Sequence, residues 1–386
     1  IWIVPTTDGE PRKLAVGAAP VVSPDGDRLV FRRSGDLFVV ALAADSPAEV
    51  EEPTALFSAR GASRSPAWSP DGKKLAFVSD RGDHSFIAVF DLTARRLRWI
   101  APSVDRDDLP VWSPDGARLA FVRRDGAMKG ELFSFLVSWP FRLMIADAAS
   151  GEAREVWRSP SSGGGFAQYY PGEPLRWATA DRLVFFSEHS GWMRIYAIGA
   201  DGGEPVALTP DACEAEDSAL DPSGEWLAFS HNCDEIDRRQ ISRVPTRGGS
   251  VERLTPAGGI FSAPAFADEG RQLYLRAAGA LEPTAVAVLD EGAPRRLAAA
   301  DFPPAEAMVE PEAVLFRAGD GLEIHGQLFV PDGEAPAAGR PAILFMHGGP
   351  MRQMLLGWHY RGYYSRCYAF NQYLASRGWV VLSVNY

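Results

Sequence analysis

Residues 347–350 read His-Gly-Gly-Pro, directly after the apolar run Ala342-Ile343-Leu344-Phe345-Met346. A continuous apolar run of this length predicts a strand buried on both faces. A glycine pair at its end lets the backbone approach a ligand closely and adopt φ > 0. Backbone N–H groups left free there would stabilise negative charge developing on a carbonyl oxygen, because fixed dipoles do this far better than mobile water. Chemistry that passes through a tetrahedral intermediate is what such a loop would serve. Gly348 and Gly349 are the candidate oxyanion donors, and His347, inside the loop, is expected to orient it rather than to act as the base. No Gly-x-Ser-x-Gly occurs in the 386 residues, so part of a catalytic apparatus is present without its nucleophile.

Other residues near the motif invite a role. Trp358, His359, Tyr360 and Tyr363 form an aromatic stretch with Tyr364; rigid rings of this kind wall a substrate pocket or simply pack a loop, and both readings stand. The acidic residues Glu214, Glu216, Asp217, Asp234, Glu235 and Asp237 could hold a substrate's α-ammonium, but a solvated rim is the favoured expectation. Cys213, His231, Cys233 and Asp234 do not fit a zinc spacing, so no metal and no cofactor is expected. His84, His189 and His231 read as strand-end polar groups, and Cys367 as a packed thiol.

Cys213 and Cys233 flank the turn Asp221-Pro222-Ser223-Gly224, with proline at i+1 and glycine at i+3. A hairpin about that turn would bring them within about one residue of facing each other, close enough for a disulfide. Two unrelated buried thiols are the alternative. A disulfide would favour a periplasmic or extracellular setting over the cytoplasm.

The elements that position these residues begin with a repeat. Val22-Ser23-Pro24-Asp25-Gly26, Trp68-Ser69-Pro70-Asp71-Gly72, Trp112-Ser113-Pro114-Asp115-Gly116 and Leu220-Asp221-Pro222-Ser223-Gly224 each precede an apolar strand. Degenerate copies run from Trp177 to Phe185 and from Phe266 to Leu275. Four short strands every roughly 40–50 residues is the signature of a β-propeller blade. A β-sandwich or solenoid explains the fixed turn phase less well. One longer interval holds Ser161-Ser162-Gly163-Gly164-Gly165, expected to be a flexible surface loop, and Ile1 to Ala15 look like the last two strands of a further blade. The expected fold is therefore mainly β: a seven-bladed propeller with one blade incomplete over 1–298, a linker over 299–312, and the N-terminal part of an α/β-hydrolase domain over 313–386. In that last part a hairpin turns at Gly319-Asp320-Gly321, a helix is expected over Tyr368–Ser376, and Val380–Val384 is a second buried strand.

Net charge is −11, which disfavours nucleic acid and anionic membrane as partners. No apolar stretch reaches the roughly 18 residues of a membrane span. The opening Ile1-Trp2-Ile3-Val4-Pro5 reads as a strand already under way, so the N-terminus is expected to be cut.

Taken together, the Ser-Pro-Asp-Gly units, Asp320-Gly321-Leu322-Glu323-Ile324-His325-Gly326, His347-Gly348-Gly349-Pro350 and Ser383-Val384-Asn385-Tyr386 resemble the prolyl oligopeptidase family of serine peptidases, in its acylaminoacyl-peptidase and dipeptidyl-peptidase-like branch. The resemblance covers essentially the whole chain. It implies a Ser-His-Asp triad lying beyond Tyr386, a propeller that restricts access to short peptides, and a 386-residue chain inactive by itself. A non-enzymatic propeller scaffold and an esterase on the same fold are the competing readings. Self-association is left open. The hydrolase segment is expected to leave an open parallel sheet edge, which favours aggregation.

Overall fold

The Ser-Pro-Asp-Gly turns share one local device in the computed structural model, which describes residues 1–3, 12–42, 53–126, 140–161, 173–297, 305–349 and 352–385. Ser23 donates to Asp25 at 2.5 Å, Ser69 to Asp71 at 2.6 Å and Ser113 to Asp115 at 2.6 Å. Each serine oxygen also accepts the N–H that opens the next strand, from Arg28 at 3.0 Å, Lys74 at 2.9 Å and Arg118 at 2.9 Å. The serine hydrogen bond is the leading reason that all three aspartates sit below the usual carboxylate pKa. At Asp221 the roles are exchanged: the aspartate takes the serine's place, accepting from Ser223 Oγ at 2.5 Å and from the Trp226 N–H at 2.9 Å. Gly26, Gly72, Gly116 and Gly224 close the turns at φ of 79°, 65°, 68° and 72°, where a side chain would be strained.

Each turn joins the first two strands of a four-stranded antiparallel unit. The first unit is Ala18–Val22, Arg28–Arg33, Asp36–Ala41 and Thr54–Ala55. The next is Ala62–Trp68, Lys74–Asp80, Ser85–Asp91 and Arg96–Ile100, which one parallel bridge, Ser85 to Arg106, joins to Arg106–Trp112, Arg118–Arg124, Arg142–Asp147 and Ala153–Arg158. Three more follow, opening on Leu175–Thr179, Ala215–Leu220 and Ile260–Ala267. Trp2–Ile3 and Arg12–Lys13 form a separate antiparallel pair. The expected loop at Ser161–Gly165 lies outside the described residues from Ser162 onward.

A bulge recurs in the first strand. The register shifts between Ala18 and Val21, Arg64 and Ala67, Asp108 and Val111, and Ser262 and Ala265. Ala19, Ser65, Leu109 and Ala263 there take φ of 50–53°. In the strand Ala215–Leu220 the shift falls between Ala215 and Ser218, at Glu216 and Asp217. Bulges re-aim side chains, and this one matters below. The units are filled by Phe31, Phe77, Phe121, Phe185 and Phe229, all fully buried. The tryptophan before a turn ties its unit to the one before: Trp68 donates to Val21 O at 3.2 Å, Trp112 to Ala67 O at 3.0 Å and Trp177 to Val111 O at 3.1 Å.

By packing, the chain divides near Val206, into residues 1–168, 174–191 and 195–206 on one side, and 169–173, 192–194 and 207–386 on the other. That division is not the one the sequence pattern suggests at 298: the sheets starting at Ala215 and Ile260 pack with the C-terminal segment.

The last sheet differs in kind. Its order is Glu312–Arg317, Glu323–Phe329, Val380–Val384, Ala342–Met346, antiparallel in the first two pairings and parallel in the third. The crossover between the parallel strands carries α1, Gly362–Ser376, the single α-helix among the described residues. Two corrections follow. The helix starts six residues before the expected Tyr368, because Tyr364 joins Tyr368, Gln372 and Ala375 on its buried side. The strand Ala342–Met346 is not buried on both faces: it is an edge strand, paired on one side among the described residues, and Leu344 and Met346 are 55% and 65% exposed. The molecule is thus mainly β, with repeated antiparallel units consistent with a propeller-like fold.

Candidate active site

The glycine loop leaves the C-terminal end of the parallel strand Ala342–Met346, and its carbonyls are tied down. Tyr364 on α1 donates to Gly348 O at 2.6 Å, and the Arg352 N–H to Gly349 O at 3.0 Å. The N–H groups of Gly348 and Gly349 donate to no acceptor among the described residues. A Cβ at Gly348 would meet nothing within 4 Å, so open space lies beside this backbone; Gly349 sits at φ 80°, where only glycine is at ease. Fixed carbonyls and amides without an acceptor among the described residues are what an oxyanion would need. His347 is buried, its Nδ1 lying 3.3 Å from Gly348 O, and burial pushes its pKa down. A neutral, enclosed imidazole suits the orienting role. Pro350 lies outside the described residues.

The segment after the loop is stapled on several sides. Asn385, which follows the strand Val380–Val384, accepts the Met354 N–H at 2.7 Å and donates to Met354 O at 3.1 Å. Asp237 O accepts the Leu356 N–H at 2.9 Å, while the Asp237 carboxylate lies 2.7 Å from His325 Nδ1. Gly279 O accepts the Trp358 N–H at 3.0 Å, and a Cβ on Gly357, at φ 151°, would fall 2.8 Å from that same oxygen.

The strongest tie is ionic. The bulge at Glu216 and Asp217 buries Glu216, which accepts from Arg239 Nε at 2.9 Å and from the Tyr360 hydroxyl. Arg239 also donates to Ile236 O at 3.1 Å, Arg238 O at 2.8 Å and Gln353 Oε1 at 3.0 Å. This corrects the solvated-rim expectation for Glu216 and Asp217. Glu216 is buried and Asp217 half-buried, and burial, followed by repulsion from Glu216, raises the pKa of Asp217. Asp234 does fit the rim, with its side chain 58% exposed. Arg239 went unnoticed in the sequence, since nothing local marks which arginine will answer a buried glutamate.

The four aromatic candidates are brought together only in part: the rings of His359 and Tyr360 lie 4.5 Å apart. Trp358 and His359 are buried in the core beside Tyr368 and Tyr364, with ring centroids 5.2 Å and 5.1 Å apart. His359 Nδ1 accepts the Arg361 N–H at 2.9 Å, and burial, with Arg239, Arg361 and Arg352 nearby, pushes its pKa down to about 3. Tyr360 serves Glu216. Tyr363 stands 66% exposed in the first turn of α1. Cys213 and Cys233 are joined by a disulfide, Sγ–Sγ 2.13 Å and Cα–Cα 4.7 Å, at the end of the hairpin where Ala215 faces His231. No group of three or more metal-ligating side chains occurs among the described residues.

No protein-family model matches the chain. Solved structures do. A Mycobacterium tuberculosis puromycin-hydrolyzing peptidase superposes with a TM-score of 0.71 at 21% identity, over 95% of this chain and 57% of its own. A putative dipeptidyl aminopeptidase IV from Bacteroides ovatus gives 0.70 at 15%, over 97% and 60%. Pyrococcus horikoshii acylaminoacyl peptidase gives 0.63 at 19%, over 98% and 59%. The chain thus spans less than two thirds of the length of these structures. The chain shares the fold of these structures over nearly its whole length.

Proposed function

We propose that this chain is the propeller and leading hydrolase portion of a serine peptidase of the prolyl oligopeptidase family. In this reading seven blades, one incomplete, gate the access of short peptides, and residues 313–386 begin the α/β-hydrolase domain after a linker over 299–312. A serine of a triad outside these residues attacks the peptide carbonyl, a histidine carries the proton to the leaving amine, and an aspartate orients that histidine. Gly348 and Gly349 hold the resulting oxyanion, His347 and Tyr364 fix the loop, and exposed Tyr363 contributes to the substrate wall. The observation that carries this is the glycine pair at the C-terminal end of a parallel strand, its carbonyls bonded and its amides without an acceptor among the described residues. The disulfide favours an oxidising compartment.

The test uses a longer protein containing this chain beside the 386-residue chain itself. A fluorophosphonate should label the first and not the second. Paired peptide and ester substrates then separate peptidase from esterase: the reading predicts a higher kcat/KM on the peptide. A longer protein that neither takes the label nor cleaves peptides would be a binding scaffold.

A further inference from the structure

Residues 233–239 form an irregular loop with one internal backbone hydrogen bond among the described residues, from the Arg238 N–H to Glu235 O at 3.1 Å. A loop so sparsely bonded depends on what holds its ends. At one end is the Cys213–Cys233 disulfide. At the other is Arg239, fixed by Glu216 at 2.9 Å and by its own carbonyl, which accepts the Phe261 N–H at 2.8 Å.

What hangs on this loop is the segment that follows the glycine pair. Ile236 O accepts from Gln353 Nε2 at 3.0 Å, Arg239 donates to Gln353 Oε1 at 3.0 Å, and Asp237 O accepts the Leu356 N–H at 2.9 Å. Gln353 is thus held at both ends of its amide. The residue before it, Arg352, donates its N–H to Gly349 O at 3.0 Å. Bonded contacts therefore run from the disulfide to a carbonyl of the glycine loop, all of them inside the packing unit that holds residues 207–386.

We propose that Cys213–Cys233 is a redox control on this site, with Gln353 as the positioning residue that transmits it. Oxidised, the bridge keeps residues 233–239 where Gln353 is bonded. Reduced, it releases them, and the Gly349 carbonyl and the amides beside it lose their fixed direction. This rests on the hydrolytic reading above. The reaction is thiol–disulfide exchange with a dithiol. A thiolate of the dithiol attacks Sγ of the half-buried Cys233 and displaces the Cys213 sulfur. The second thiol then frees Cys233, and the dithiol leaves as a cyclic disulfide, having given up two electrons and two protons. Pro210 O lies 3.6 Å from Cys213 Sγ, within reach of the new S–H. Cys367 is already a thiol and takes no part.

The experiment compares oxidised and dithiothreitol-reduced protein, with the thiols counted in each. In a longer protein containing this chain, kcat is taken per fluorophosphonate-labelled site, so that unfolded molecules do not enter. Reduction should lower kcat on a short peptide roughly tenfold or more with little change in KM, because geometry at the reacting carbonyl is what is lost. Reoxidation should restore it. Gln353→Ala should lower kcat likewise with the bridge intact, and reducing that variant should add little, because both changes break one link. In the 386-residue chain, reduction should speed hydrogen exchange over 352–361. A longer protein that neither takes the label nor cleaves peptide in either state refutes the hydrolytic reading, and the exchange result then decides the redox coupling without catalysis. Unchanged kcat in an active, fully reduced protein, unchanged exchange over 352–361, or losses from reduction and Gln353→Ala that multiply would each overturn the proposal. So would a reduced chain with no folded state, since the bridge would then be structural alone.

Discussion

Two buried ion pairs of similar chemistry do different things in the two packing units. Arg123 and Asp107 close on each other across one strand pair, 9% and 0% exposed, and the remaining bond of Arg123 goes to Ala101 O. Arg239 and Glu216 are as enclosed, at 5% and 7%, but their spare donors and acceptors reach Tyr360 and Gln353, far along the sequence in the segment after the glycine loop. The first pair locks a repeat unit to itself. The second spends its charge on positioning a non-repeating segment. A buried pair is weak evidence for stability in itself; what its leftover hydrogen bonds touch decides its role.

The sharpest way to break this comparison is to remove one acid from each pair. Glu216→Gln and Asp107→Asn should each cost about 3–5 kcal/mol by denaturant unfolding, since each leaves a buried arginine uncompensated. Their hydrogen-exchange footprints should differ. Glu216→Gln loosens residues 352–361, and Asp107→Asn loosens the strands around 106–124. Identical footprints would sink the distinction.

Acid should act next. His359 is held neutral with a pKa of about 3, and His231, buried against Ser242 Oγ at 2.7 Å, with a pKa of about 4. Unfolded, both take a proton near pH 6.5, so the unfolded state binds more protons as pH falls through that value and stability drops between pH 7 and 4. At pH 5 each should contribute a loss of about 2 kcal/mol. A flat stability profile between pH 7 and 5 would refute the buried, neutral assignment.

Reduction of Cys213–Cys233, 20 residues apart, should cost about 2–4 kcal/mol. Because the bridge closes the hairpin that carries Glu216, the exchange change should spread to 352–361 and leave 106–124 untouched. The smallest effect belongs to the turns. Ser69→Ala should cost about 1 kcal/mol, and Ser223→Ala less, because the serine and aspartate have traded places there and Asp221 keeps the Trp226 N–H. Equal melting shifts in the two variants would deny the exchange of roles.

What was legible in the sequence follows the same divide. The Ser-Pro-Asp-Gly units announce themselves because serine, aspartate and glycine act on their own backbone within five residues, and the strands that follow are apolar. The glycine loop was legible for the same reason. Arg239 with Glu216 was not, because it depends on register and on a bulge. The strand Ala342–Met346 misled for another reason: an apolar run reports what a strand is suited to, not what covers it.

The central claim is that the space beside Gly348 receives a substrate oxyanion. Its most direct test is Gly348→Ala in a longer protein containing this chain. The new methyl meets nothing within 4 Å, so the melting temperature should hold, while the group intrudes where the substrate oxygen would sit. The account predicts a fall in kcat/KM of roughly a hundredfold or more on a short peptide. An unchanged kcat/KM in a stably folded variant would contradict it.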